Sequence, residues 1–143
     1  MEYLLFSGAQ NTGKTSSIVK YKNLLISKYG YTETIIDKHN CFIIENSDKR
    51  ILVYPHTDTP YLIDGLVKHL SVEQVNYVIT ACRSVGDTER DYLINALKIH
   101  DQFLEIPLGR MVRGAKRTNA VRWYLNSVLV VAEIIGKTAP FNF

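Results

Sequence analysis

The sequence predicts an α/β fold with a mostly parallel sheet and helices on both faces, in a single domain spanning residues 1–143. Short apolar runs of strand character alternate with amphipathic stretches of roughly 10–15 residues, the arrangement that builds parallel sheets through helical crossovers. The elements read in the order βα(βββ)αβαβα, and 143 residues is about one domain's worth of chain.

Each element has a local reason. Tyr3-Leu-Leu-Phe6 is a short apolar run that ends at Ser7-Gly8, as expected of a strand buried on both faces. From Lys14 to Lys28, the residues Ile18, Val19, Tyr21, Leu24 and Leu25 recur at helical spacing, and Gly30 supplies the stop. Thr32 to Ile36 is β-branched. Cys41-Phe-Ile-Ile-Glu45 and Arg50-Ile-Leu-Val-Tyr54 flank the polar turn Asn46-Ser-Asp-Lys49, which reads as a hairpin. Pro60 to Leu70 places Leu62, Ile63, Leu66, Val67 and Leu70 at helical spacing behind a proline suited to a first turn, with Gly65 as a weak point inside. Val75 to Thr80 reads as a strand, Asp87 to Ile99 as a helix, Gln102 to Ile106 as a strand and Thr118 to Ile135 as a last helix.

With 46% hydrophobic and 22% charged residues, the chain has the apolar material for a core and none of the bias of a disordered segment. A net charge of +3 is compatible with anionic ligands but too small to argue for nucleic acid by itself. Cys41 and Cys82 stand far apart, without Cys or His at metal-ligand spacing, so neither a zinc site nor a disulfide framework is indicated. The N-terminus has no basic region followed by an apolar stretch. Glu133 interrupts the longest apolar run, Val128 to Ile135, well short of the ~20 residues of a membrane span. A cytoplasmic location without membrane contact is the expectation.

The chemistry concentrates in Gly8-Ala9-Gln10-Asn11-Thr12-Gly13-Lys14-Thr15, a full match to G-x-x-x-x-G-K-[ST]. Glycines let the backbone curl until successive N–H groups face a β-phosphate, with the dipole of the following helix behind them. Lys14 can reach the β- and γ-phosphates, the Thr15 hydroxyl can ligate Mg2+, and Ser16 follows in the first helical turn. Chance produces such a match in about half a percent of chains this long. The match also lies between a short apolar strand and an amphipathic helix, the context the motif requires. The other reading is a plain strand-to-helix turn.

On these residues the sequence resembles the P-loop NTPase superfamily. The resemblance implies a nucleotide-kinase-like three-layer core and ATP or GTP bound with Mg2+. The loop, together with Ala81-Cys-Arg-Ser-Val-Gly-Asp-Thr88, also resembles small stand-alone bacterial ATP-binding proteins of unassigned role. Members of the superfamily hold magnesium through an acid that ends a second apolar strand, and here the chain departs from the pattern, because Val75 to Thr80 runs into Ala81-Cys82-Arg83. Asp58, shortly after Ile51 to Tyr54, is the leading candidate for that acid, and Asp37, after Ile35-Ile36, is the alternative. Either can equally be a turn residue. Arg83, at a strand end, is a candidate to stabilise transferring charge, or else pairs on the surface with Asp87 or Glu89.

No acid falls between Ile106 and Ala132, whereas Arg110, Arg113, Lys116, Arg117 and Arg122 do. Cations at a helix start oppose its dipole, so Arg110–Arg122 is read either as a solvated basic loop or as a site for an anionic acceptor or nucleic acid. By position alone, Pro107 to Gly114 is expected beside the nucleotide. Trp123 and Tyr124 read as packing anchors ahead of base-stacking platforms. Of His39, His56, His69 and His100, only His56 lies near the proposed site. The expected function is Mg-dependent binding of a nucleoside triphosphate, with ATP favoured because no Asn-Lys-x-Asp occurs, followed by hydrolysis or transfer of the γ-phosphate. The alternatives are a nucleotide-dependent switch with little catalysis and a kinase acting on a small molecule or nucleotide.

Overall fold

A computed structural model describes residues 1–38, 41–109 and 117–143, with the side chains of 117–121 left out of the description. In chain order the elements are β1 (Glu2–Ser7), α1 (Lys14–Tyr29), β2 (Thr32–Asp37), β3 (Cys41–Glu45), β4 (Arg50–Tyr54), α2 (Pro60–Val72), β5 (Tyr77–Cys82), α3 (Thr88–Leu97), β6 (Phe103–Pro107) and α4 (Arg117–Gly136). The expected succession of strands and helices is present, with β5 beginning and ending two residues later than Val75 to Thr80.

The arrangement of the strands corrects the predicted fold class. The six strands form one mixed sheet in the order β2-β3-β4-β5-β1-β6. β4, β5, β1 and β6 run parallel, but β2–β3 and β3–β4 are antiparallel. The parallel three-layer P-loop core expected from the resemblance is therefore not the architecture of this chain. The cause is local. Parallel neighbours need a crossover of a dozen or more residues, whereas residues 38–40 and 46–49 are all that separate β2 from β3 and β3 from β4. Asn46 fixes the second turn, its side-chain oxygen accepting from the backbone N–H groups of Asp48 and Lys49.

Strand alternation divides the core. Leu4 and Phe6 of β1, Ile51 and Val53 of β4 and Ile79 of β5 meet Ile18, Tyr21 and Leu25 of α1 and Val128 and Ala132 of α4. On the other face, Tyr3, Leu5, Leu52, Tyr54 and Val78 meet Ile63 and Leu66 of α2 and Leu93 of α3. β1 is therefore buried on both sides, as its unbroken apolar run requires. Helix α4 is tied to α1 through Glu133, which accepts from Tyr29 Oη and Lys28 Nζ, each at 2.5 Å. Gly30 ends α1 in a left-handed conformation at φ 72°, its N–H bonded to the Leu25 carbonyl. No described helix is long and apolar enough to cross a membrane.

A bidentate pair sits under the C-terminal edge of the parallel strands. Arg90, from α3, donates to both Glu105 oxygens of β6 at 2.7 and 2.8 Å and also to the Arg83 carbonyl at 3.1 Å. These bonds hold the Glu105 carboxyl below its ordinary pKa against the opposing pull of burial, with the Ser7 hydroxyl adding to the effect. Because the folded-state pKa is lowered, the unfolded chain binds the proton first, so this contribution is present above the ordinary value of 4.5 and is lost as pH falls through the folded one. Urea unfolding followed from about pH 7 down to about pH 3 is expected to show stability falling with acid, with a shallower fall in Glu105→Gln. At neutral pH, Arg90→Ala is expected to cost about 2–3 kcal/mol, because it strands a half-buried carboxylate.

Candidate functional site

The C-terminal ends of β1, β4 and β5 gather one site. The loop after β1 is pinned on both flanks: the Gly8 N–H donates to the Cys82 carbonyl of β5 at 3.1 Å, and the Leu108 N–H donates to the Ser7 carbonyl at 2.6 Å. Two of its glycines have no room for a side chain. A Cβ on Gly8 would lie 2.6 Å from the Leu108 carbonyl oxygen and 2.7 Å from Thr12 Oγ1. Gly13 adopts φ +90°, and a Cβ there would meet Leu125 of α4 at 2.8 Å. Asn11 also takes a positive φ, 61°, which Asn tolerates better than most residues. The chain thus turns sharply enough to aim the start of α1 at the loop. No side chain caps this helix start, and its first turn contains no acid, so its leading N–H groups retain capacity for an anion.

Lys14 is buried, its ammonium donating to the Gly8 carbonyl at 3.0 Å and the Ala9 carbonyl at 2.8 Å. Asp58 Oδ1 stands 3.9 Å from the same nitrogen, and Arg83 Nε approaches that oxygen at 3.4 Å. The second contact is an ion pair without hydrogen-bond alignment, and among the described residues the buried Arg83 Nε has no hydrogen-bond partner. Burial lowers the Lys14 pKa; Asp58 opposes the shift and Arg83 adds to it. Asp87 adds a weaker opposing pull on Lys14, and an anion in the cleft would relieve both cations further.

Threonines place the Asp58 loop. Thr57 Oγ1 donates to the Ala81 carbonyl and Thr80 Oγ1 to the Tyr54 carbonyl, each at 2.6 Å and buried. Thr15 Oγ1 donates to the Pro55 carbonyl at 3.2 Å, joining the first turn of α1 to the same loop. The result is a cleft of about 400 Å³ lined by residues 10–16 and Asp58, within the ~300–1,000 Å³ of small-molecule sites.

The residues picked from the sequence separate clearly. Gln10, Asn11, Thr12, Gly13, Lys14, Thr15, Ser16 and Asp58 share the cleft, while the carbonyls of Gly8 and Ala9 accept from Lys14. Thr15 and Asp58, the two candidate magnesium ligands, border the same space. Asp37 lines a different cavity. Among the described residues, the ion-pair partner of Arg83 is Asp58, in place of Asp87 or Glu89. Pro107 to Gly109 pass beside the loop, with the Gly109 N–H donating to Tyr124 Oη at 2.6 Å. Arg110, Arg113 and Lys116 lie outside the described residues, as do the side chain of Arg117 and all of His39. Tyr124 packs against the core, and Trp123 is exposed. Among the described residues, no group of three or more His, Cys, Asp or Glu side chains gathers to hold a metal. Sequence reasoning misses Thr57, Leu108, Leu125 and the Arg90–Glu105 pair; for Thr57 the available signal is its place beside Asp58, and for the others there is none.

Compared with protein-family models, curated proteins and solved structures, the chain matches none. The likeness to phosphate-binding loops rests on the residues from Gly8 to Thr15 themselves.

The Gly8 contact is with a backbone oxygen, which cannot swing aside as a side chain can. Gly8→Ala is therefore expected to destabilise the fold by about 1–3 kcal/mol, read as a lower urea midpoint at unchanged slope.

Proposed function

We propose that this chain binds a nucleoside triphosphate, ATP ahead of GTP, together with Mg2+, and hydrolyses or transfers its γ-phosphate. The observation that carries the reading is the meeting of the Lys14 ammonium, the Thr15 hydroxyl and the Asp58 carboxylate at one cleft before an uncapped helix start. The donor set fits the group. The loop's N–H groups would receive phosphate oxygens. Lys14 would exchange its two loop carbonyls for the β- and γ-phosphates, and Thr15 with Asp58 would hold magnesium, which neutralises charge as the phosphoryl group leaves. The buried, unmatched Nε of Arg83 would follow the charge on Asp58 and stabilise the reacting end from behind it.

A second reading, a nucleotide-dependent switch with slow turnover, draws support from the same ion cluster. Asp58 lies between Lys14 and Arg83, and drawing Lys14 onto phosphate would loosen that contact and the loop that carries it. The two readings share the binding step and differ in the fate of the γ-phosphate.

Calorimetry with ATP or GTP and Mg2+ is expected to show saturable binding that Lys14→Ala weakens at least 100-fold, a loss of ~2.7 kcal/mol or more. Absence of binding to both triphosphates would refute the proposal. With γ-labelled ATP and a panel of nucleosides and nucleotides, label appearing in free phosphate identifies a hydrolase, label in an acceptor a kinase, and retained label a switch. Asp58→Asn is expected to lower magnesium-dependent turnover by a factor of about 10 to 100 while triphosphate binding persists.

A further inference from the structure

Helix α4 is apolar on two sides. On the inner one, Val128 and Ala132 are buried in the core and Leu125 lies over Gly13. On the outer one, Trp123 is 75%, Val130 56%, Val131 44% and Ile134 59% exposed. Steps of four, three and four residues through Trp123, Ser127, Val130 and Ile134 set these side chains in one stripe along the helix, with Val131 beside it. A surface helix ordinarily turns charged and polar residues outward, and this outward stripe contains no charge. Between Trp123 and Ile135 the one charged residue is Glu133, and it accepts from Lys28 and Tyr29 of α1.

The stripe is self-complementary under a two-fold axis. Its midpoint falls between Val128 and Leu129, so a second α4 laid antiparallel across it brings Trp123 of each copy against Ile134 of the other. The same register sets Val130 and Val131 of each copy around Ser127 of the other, and large side chains meeting a small one let the two helices approach closely. A parallel copy would instead set Ser127 against Ser127 and leave a gap at the middle. Ser127 does not oppose burial, because its hydroxyl already donates to the Trp123 carbonyl at 3.2 Å. Antiparallel alignment also opposes the two helix dipoles favourably.

At these exposures the four apolar side chains present on the order of 400 Å² per copy. Two copies then cover about 800 Å², and the flanking Tyr124 and Asn126 raise the total toward the ~1,000 Å² at which specific interfaces begin. We infer that α4 is the contact of a symmetric, antiparallel dimer, in which the outer face of the helix is covered by α4 of a second copy of this chain. An interface of this size is weak, with a Kd of about 10–100 µM expected. The contact uses neither residues 10–16 nor Asp58, so it stands or falls separately from triphosphate binding.

Sedimentation equilibrium of the full chain from about 1 to about 500 µM is expected to show a monomer–dimer equilibrium. Trp123 is the one tryptophan of the chain, so its emission is expected to move to shorter wavelength over the same range as the ring leaves water, a readout that needs no variant. Val130→Glu, at an exposed position, is expected to weaken association at least 100-fold with the urea midpoint unchanged. Trp123→Ala and Ile134→Ala are each expected to weaken it about tenfold, and together by less than the product, because the two side chains touch across the axis. A chain that stays monomeric at the highest concentration, dimerisation with Trp123 emission unmoved, full affinity in Val130→Glu, or losses that multiply in the double variant overturns the inference. So does a monomeric chain that sediments with phosphatidylcholine–phosphatidylserine vesicles, which assigns the stripe to a membrane surface.

Discussion

The closeness of the Leu108 carbonyl to Gly8 constrains everything at the functional edge. β1 lies between β5 and β6, and the ladder continues past its end on both sides, through Gly8 to Cys82 and through Ser7 to Leu108. The backbone can leave the sheet only after Gly8, and it must then reverse within a few residues to reach α1. A positive φ at Asn11 and another at Gly13 accomplish the reversal, while Leu125 closes over Gly13 from α4. The direction of α1, and with it the position of Lys14, comes from this confinement more than from any preference of the helix itself.

Charge is arranged on that frame at some expense. Lys14 is desolvated, and a buried ammonium is tolerable only where oxygens surround it. The Gly8 and Ala9 carbonyls and Asp58 supply them. Arg83 then places a second cation against the same carboxylate, its backbone held by Arg90 from below. Each group is satisfied only in part: the Lys14–Asp58 contact is long, and the Arg83–Asp58 contact is poorly aligned. An anion arriving at such a cluster would improve the surroundings of both cations at once.

Much of this is legible in the sequence because it is local. The loop motif, the apolar run before it and the hairpin at residues 46–49 are patterns over neighbouring residues, and the structure has a strand, a loop and a hairpin there. The sheet arrangement departs from the expected parallel one although its signal is present in the chain. The link at 46–49 is legible as a hairpin, but the equally short link at 38–40, which also forbids a crossover, is masked by the helix-strand alternation of the other segments. Strand-end logic puts Asp58 ahead of Asp37 only weakly, since both come after apolar β runs. What separates them is the position of β4 next to β5 against that of β2 at the sheet edge, a property of pairing that no local pattern carries. The contacts of Leu108 with Gly8 and of Leu125 with Gly13 span about 100 residues of chain and are invisible for the same reason.

The mixed sheet has a chemical consequence that a uniformly parallel one would lack. Because β3 reverses between β2 and β4, β2 ends at the same edge as the parallel strands, and Asp37 joins Tyr54 there without an intervening helix. α2 then starts between two spaces, one lined by residues 10–16 with Asp58 and the other by Asp37 and Tyr54 of the strands and Tyr61, Asp64, Lys68 and His69 of α2 itself. The stretch from Pro55 to Thr59 runs between them, held in place by the Thr15 hydroxyl on the Pro55 carbonyl and the Thr57 hydroxyl on the Ala81 carbonyl.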